Sequence, residues 1–225
     1  MTEASLTTPG RVRSKVLSSS QISSTAFELR LERGRFDFTP GHEIEIYSPE
    51  TESRIYSIAS GRDDPFVDIL YRLIPGGQMS PWLSRLEQDA LVEHSLPFGS
   101  FLLRDPSKPI VFVATGTGVA PCLSFLRTYP ELELTLLHGV RHEEDLFHSD
   151  LFEGKRYYPC ISREDGPGYR GRVTSLLPSI SLQHSAHYYL CGANDMISDA
   201  RAILLEQGIA HDAIFSEAYY FWRGL

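Results

Sequence analysis

Arg54-Ile55-Tyr56-Ser57-Ile58-Ala59-Ser60 sets a guanidinium, a phenol and hydroxyls between apolar residues. On a strand, successive side chains point to opposite faces. Tyr56 and Ile58 would then share one face, and Ile55, Ser57 and Ala59 the other. Such a strand carries polar groups that need partners beside a packed surface, and its neighbours decide what sheet it joins. Upstream, Phe27, Leu29 and Leu31 alternate with Glu28, Arg30 and Glu32, the period of a half-buried strand. Turn residues at Arg33-Gly34 and Thr39-Pro40-Gly41 lead into a further strand at Ile44–Tyr47. Downstream, Val67, Ile69 and Tyr71 alternate with Asp68, Leu70 and Arg72. Short strands at this spacing predict a small antiparallel β-barrel or sandwich, with a tight turn at Pro97-Phe98-Gly99-Ser100-Phe101 that would close a barrel.

One helix interrupts the strands. Ile74-Pro75-Gly76-Gly77-Gln78-Met79-Ser80 precedes Pro81–Leu86, with Ser80 as the expected N-cap and proline at the first helical position. A glycine-rich approach to a helix start exposes backbone N–H groups at the positive end of the helix dipole, where an anion binds.

The pattern changes after the linker-like Arg104-Asp105-Pro106-Ser107-Lys108-Pro109. Ile110-Val111-Phe112-Val113-Ala114 is an unbroken apolar run, as in a buried parallel strand. Further strands are expected at Leu134–Val140, Tyr157–Ser162, His187–Cys191 and Ala213–Phe215. Helices are expected from Cys122 to about Tyr129, near Glu143–Phe152, at Val173–Leu177 and at Ala193–Gln207, the last stopping at Gly208. Strand–helix alternation predicts an α/β open parallel sheet of the nucleotide-binding type, with ligands at the carboxyl ends of its strands. Thr115-Gly116-Thr117-Gly118-Val119-Ala120-Pro121 follows the first strand as a candidate phosphate loop, although Pro121 stands where the dinucleotide fingerprint has its third glycine. Ser162-Arg163 and Arg172, joined by Arg141, offer guanidiniums and a hydroxyl suited to a 2′-phosphate. Cys191-Gly192 would let a flat ring approach the backbone. Four aromatics crowd the tail Ser216-Glu217-Ala218-Tyr219-Tyr220-Phe221-Trp222.

Bulk properties narrow the function. A net charge of −8 argues against non-specific nucleic-acid binding, which needs basic surface. No run approaches the roughly 20 apolar residues of a membrane span. Met1–Gly10 has no apolar signal core, and three widely spaced cysteines lack the spacing for zinc or an iron–sulfur cluster. The eight histidines show no metal-ligand spacing on a helix, so no metal is assigned. A cytoplasmic protein is expected.

Taken together these segments resemble the ferredoxin–NADP⁺ reductase family from about Ser14 onward. Arg54-Ile55-Tyr56-Ser57 is similar to its R-x-Y-S flavin motif and Gly77-Gln78-Met79-Ser80 to its G-x-x-S pyrophosphate motif. Gly116–Pro121 is similar to its nicotinamide-nucleotide loop, Cys191-Gly192 to its C-G motif and Glu217-Ala218-Tyr219 to its acid–x–aromatic terminus. The resemblance implies an FAD-binding barrel over residues 1–107 and an NADP(H)-binding α/β domain over 108–225, with the flavin in the cleft between them. It implies that Arg54, Ile55, Tyr56, Tyr71, Arg72, Gly77, Gln78, Met79 and Ser80 bind FAD, and that Ser57 hydrogen-bonds near the hydride acceptor. Gly116, Thr117, Gly118 and Gly192 would bind the nicotinamide nucleotide, and Arg141, Ser162, Arg163 and Arg172 would read a 2′-phosphate. Cys191 and Glu217 would position the nicotinamide, and Tyr219 or Trp222 would cover the flavin. The terminus departs from the family pattern, because Tyr220–Leu225 follow the aromatic.

The implied activity is hydride transfer from NADPH to FAD, then single electrons to a ferredoxin or flavodoxin. Arg30, Arg33 and Arg35 are a candidate basic docking group for such an acidic carrier. Pro97-Phe98-Gly99 resembles the turn of oxygenase-linked reductases. Two other readings stand beside this one: a reductase of free flavin, against which Gly77–Ser80 speaks, and a non-catalytic relay subunit, against which Cys191-Gly192 and Glu217 speak.

Overall fold

In the computed structural model, residues 10–219 are described, and they fall into two units that divide between Leu102 and Leu103. The first unit is a six-stranded antiparallel barrel. Its strands are β1 (Arg11–Gln21), β2 (Ala26–Glu32), β3 (Glu43–Tyr47), β4 (Arg54–Ser57), β5 (Phe66–Arg72) and β6 (Leu91–Ser95), in the order β4-β3-β6-β1-β2-β5. The Arg54–Ser60 stretch closes it. Regular pairing of β4 with β3 ends at Ser57, and Ile58 then bridges Ile69 of β5. Ile58 N–H donates to His42 O (3.0 Å) and Ala59 N–H to Asp68 O (2.8 Å), so consecutive residues bond to the two sides of the seam. Ile58 and Ala59 are fully buried, whereas Ile55, expected on the face of Ser57 and Ala59, is 52% exposed at the open end of β4.

Inside the barrel, Val16, Leu29, Leu31, Ile44, Ile46, Ile58, Val67 and Ile69 form the core, and Met79, Trp82 and Leu83 of α1 (Met79–Ser84) pack onto it. The predicted one-sided alternation of β5 does not hold: Val67 through Tyr71 are all buried, including Asp68. Asp68 tolerates this because Arg30 Nε and Nη2 both donate to its carboxylate, at 2.7 and 2.9 Å. The Pro97–Phe101 turn is pinned on β3, with Glu43 and Phe98 exchanging both backbone bonds at 2.8 and 3.0 Å.

The second unit holds six parallel strands: β7 (Ile110–Thr115), β8 (Leu134–Val140), β9 (Arg156–Ile161), β10 (Tyr169–Arg170), β11 (His187–Ala193) and β12 (Ile214–Tyr219), ordered β10-β9-β8-β7-β11-β12. The alternation within β7 and β11 sorts the two faces. Phe112 and Tyr189 stack at 6.0 Å and meet Phe125 of α2 (Ala120–Thr128) on one side. On the other, Val111, Val113, Tyr188 and Leu190 pack with Val173 of α3 (Val173–Leu176) and with Ile197, Ala200 and Leu204 of α4 (Asn194–Glu206). Arg104 N–H donates to Tyr189 Oη (2.9 Å), which ties the segment just after the division to the sheet rather than leaving it as a linker to Ser107. The helix expected at Glu143–Phe152 is absent. Two short 3₁₀ turns, Glu143–Asp145 and Ser149–Phe152, stand there, separated by His148 in the left-handed region (φ 52°), which breaks helical continuation. No described helix is long and apolar enough to cross a membrane.

Candidate functional site

In the first unit the fold brings the Arg54–Ser57 strand and the Gly77–Ser80 helix start together. Thr51 Oγ1, in the loop before β4, donates to Gln78 Oε1 (2.9 Å), and Glu50 pairs with Arg85 (3.1 Å). Ile74-Pro75-Gly76-Gly77 forms a tight turn closed by Gly77 N–H to Ile74 O (2.9 Å), with Pro75 supplying its fixed φ and Gly76 the positive φ (75°) that the next position demands. Ser80 is not the N-cap. The helix starts at Met79 with Gln78 before it, and Ser80 Oγ instead accepts Ile74 N–H (2.9 Å), holding the turn against the helix. Pro81 is then the third helical residue, still within the turn where a missing N–H costs no bond. The first intrahelical bond is Trp82 N–H to Gln78 O (3.1 Å), so the N–H groups of Met79 and Ser80 have no acceptor within the helix.

Tyr56 is half-buried with its ring edge-on to Tyr71 (6.3 Å), and Tyr71 stacks on Phe27 (5.6 Å). Burial pushes the Tyr56 hydroxyl well above its usual range and the Tyr71 hydroxyl up to about 12, so both phenols stay neutral. Tyr71 lies in the barrel core, Ser57 is 3% exposed, and Arg72 ends β5 half-buried. Arg54 is exposed, with Nη1 donating to Ser53 O (2.7 Å) and 3.3 Å from Glu52. Of the candidate basic group Arg30, Arg33 and Arg35, Arg35 is exposed and the other two are engaged within the barrel unit. Arg30 is committed to Asp68, and Arg33 donates to Phe36 O, Arg62 O and Asp64 O and pairs with Asp37 (2.6 Å).

In the second unit the strand order reverses at β7, with β8 on one side and β11 on the other, and the candidate loop leaves the carboxyl end of β7 at this switch point. Gly116–Val119 makes a 3₁₀ turn leading into α2. Two glycines let this loop meet the end of β11. A Cβ on Gly118 would lie 2.5 Å from Cys191 O, and one on Gly192 (φ 132°) would overlap Thr115 Oγ1. Thr115 Oγ1 accepts Ala193 N–H (3.0 Å) and so locks the two strand ends. His138, in the middle of β8, donates from Nε2 to Gly116 O (2.9 Å). His138 is not among the site residues expected from the sequence, and Thr115 enters there only as the first residue of the candidate loop; a lone histidine inside a mostly apolar strand was the available signal.

Cys191 and Glu217 face each other in register across β11 and β12, the thiol 3.9 Å from Glu217 Oε2. Tyr219 follows, opposite Ala193 and half-buried. Trp222, with Tyr220 and Phe221, lies outside the described residues.

Past the ends of β8 and β9 the backbone pairing continues. Ser162 N–H and Oγ both donate to Val140 O (3.0 and 3.1 Å), and Arg163 N–H donates to Arg141 O (3.1 Å). Gly171 N–H to Ile161 O (2.8 Å) delivers Arg172 to the same strand ends. Arg141, Ser162, Arg163 and Arg172 are all exposed, and the three guanidiniums have no carboxylate partner among the described residues. The nearby Glu164 is spent otherwise, accepting Glu143 N–H and pairing with His142 Nδ1 (3.1 Å), which holds its carboxyl below the usual range.

Residues 9–102 match the family model for an oxidoreductase FAD-binding domain and residues 112–202 that for an oxidoreductase NAD-binding domain. The chain is 33% identical over 229 residues to a ferredoxin–NADP reductase B of Sorangium cellulosum, covering 88% of this chain and 93% of that protein. It is 32% identical over 219 residues to the anthranilate 1,2-dioxygenase electron transfer component of Acinetobacter baylyi, of whose length it spans 64%, just under two thirds. The fold superposes on a ferredoxin NADP⁺ reductase from Neisseria gonorrhoeae, solved with FAD and NADP, with a TM-score of 0.87 at 23% identity, covering 95% of this chain and all of that one.

Proposed function

The chain belongs to the ferredoxin–NADP⁺ reductase family of flavin oxidoreductases, and from that premise we propose that it takes hydride from NADPH onto FAD and passes single electrons to a ferredoxin- or flavodoxin-type carrier. The bound cofactors supply the redox chemistry, NADPH as hydride donor and FAD as the converter from electron pair to single electrons. The chain's own residues bind, orient and hold charge.

The residues fit both groups. On the first unit, exposed Ile55 and the half-buried Tyr56 ring offer an apolar surface beside the Gly77–Ser80 helix start. Arg54 is exposed and held by its bond to Ser53 O and a contact to Glu52, and surface contacts of this kind carry little energy, so a pyrophosphate displaces them. Ser57 would supply a hydroxyl to the flavin. On the second unit, the contact of Gly118 with Cys191 O excludes side chains where a flat nicotinamide approaches. Cys191 and Glu217 orient the nicotinamide, and Glu217 stabilises the positive charge that grows as hydride leaves. The single observation that carries the choice of NADPH is the set of exposed guanidiniums of Arg141, Arg163 and Arg172, without a carboxylate partner among the described residues, with Ser162, at adjoining strand ends. Guanidinium binds phosphate bidentately, and an exposed cluster of like charge is stabilised by an anion.

The acceptor is proposed more coarsely. Similarity to an oxygenase electron transfer component supports service to an oxygenase.

The test is spectroscopic. The purified protein is expected to carry the visible spectrum of FAD and to bleach anaerobically with NADPH faster than with NADH. A colourless protein that does not take up FAD overturns the reading, and preference for NADH overturns the role of Arg141, Arg163 and Arg172. Glu217→Gln is expected to slow bleaching at least about tenfold, about 1.4 kcal/mol, with FAD still bound. An unchanged rate removes Glu217 from the site.

A further inference from the structure

His138 is fully buried among the apolar side chains of β8, and its ring reaches Gly116 of the loop that follows β7. A carbonyl only accepts, so the Nε2 atom 2.9 Å from Gly116 O carries the proton and Nδ1 is an acceptor. The Tyr157 hydroxyl from β9 lies 3.5 Å from Nδ1, and the Phe147 ring packs at 6.3 Å. The imidazole is thus fixed from three elements. The loop's 3₁₀ turn starts at Gly116, so the N–H groups of Gly116 and Thr117 have no acceptor within it.

We infer that His138 is a positioning residue for the dinucleotide: it anchors the carbonyl side of the Gly116–Gly118 loop to the sheet, so that the loop's N–H side is held ready for the phosphate and nicotinamide end of the ligand. The inference rests on the dinucleotide-binding reading above. His138 touches no ligand and acts only through Gly116. Burial lowers the histidine pKa to about 4, which keeps the ring neutral and the anchor intact at ordinary pH.

The experiment compares two ligands by calorimetric titration of the FAD-loaded enzyme. NADP⁺ engages the loop, whereas 2′,5′-ADP engages the adenosine end near Arg141, Ser162, Arg163 and Arg172. His138→Phe removes the donor and keeps a ring; it is expected to weaken NADP⁺ about fivefold, the equivalent of one hydrogen bond, and to leave 2′,5′-ADP unchanged. His138→Gln keeps an N–H at the Nε2 position and is expected to restore NADP⁺ binding. Should His138→Phe not fold, His138→Met gives the same comparison. Equal weakening of both ligands, no weakening of NADP⁺, or no rescue by glutamine overturns the inference. A wild-type enzyme that binds neither ligand overturns the dinucleotide reading, and this inference with it.

Discussion

Asp68 and His138 are polar side chains sealed inside the two units, and each is bonded to a partner that the chain supplies from a distance. Asp68 is bound by both nitrogens of Arg30, whose guanidinium also lies 3.7 Å over the Phe66 ring. Removing one member of such a pair leaves the other uncompensated, and the cost depends on whether water can reach it. Arg30 is about one-third exposed and Asp68 is not. Arg30→Met should therefore destabilise the barrel by about 3 kcal/mol and Asp68→Asn by about half that, measured by urea unfolding. The reverse order would show that the guanidinium, not the carboxylate, is the sealed member. For His138 the folded pKa of about 4 lies below the unfolded value near 6.5. Between those values the unfolded chain binds a proton that the folded chain does not, so stability is lost as pH falls through that window. The loss by pH 4 is about 3 kcal/mol at 1.36 kcal/mol per unit. His138→Gln should flatten the acid side of the stability profile by that amount; an unchanged slope would mean that other groups, such as the buried His94, carry it.

The elements depend on close backbone meetings. The barrel seam runs through Ile58 and Ala59, which bond to opposite neighbours, and Ile58 is fully buried. Ile58→Ala should cost about 3 kcal/mol through the cavity it leaves and, because Ser57 and Tyr56 precede the seam, should also weaken FAD retention. Retention unchanged at equal temperature below unfolding would separate the seam from the flavin surface. At the carboxyl ends of β7 and β11 the meeting is tighter. Gly118→Ala would drive a methyl into the Cys191 carbonyl, and the loop must shift. It should lower NADP⁺ affinity more than tenfold while the barrel and its flavin are untouched, as titration and the visible spectrum would show. The two short turns at Glu143–Phe152 make the opposite point. Acidic and aromatic residues there have no helical stripe to bury, and Glu164 caps the Glu143 N–H from another segment.

For the whole molecule, ligand linkage gives the broadest check. FAD at 100-fold over its dissociation constant should stabilise the folded chain by about 2.7 kcal/mol, raising the thermal midpoint by several degrees; no shift would sink the assignment of the first unit. Much of the architecture was legible in the residues. Alternation in β2 and β3, the apolar run of β7, the strand Leu134–Val140 and the helix before Gly208 are all periodic signals, and periodicity follows from backbone geometry alone. The candidate site was legible as five short motifs, and the Arg141, Ser162, Arg163 and Arg172 group followed from standing at strand ends. What was not legible is which polar groups satisfy one another. Arg30 and Arg33 read as a basic surface, yet one is tied to Asp68, 38 residues on, and the other to carbonyls across a loop. Ser80 read as a cap and instead clamps a turn. The sequence by itself determined the short antiparallel strands, the parallel sheet and the glycine loop after β7, because these rest on local spacing. Only the tertiary structure decided the burial of both faces of β5, the Thr115 and His138 anchors and which arginines meet a carboxylate among the described residues, because a hydrogen-bond partner is set by distance in space and not by distance along the chain.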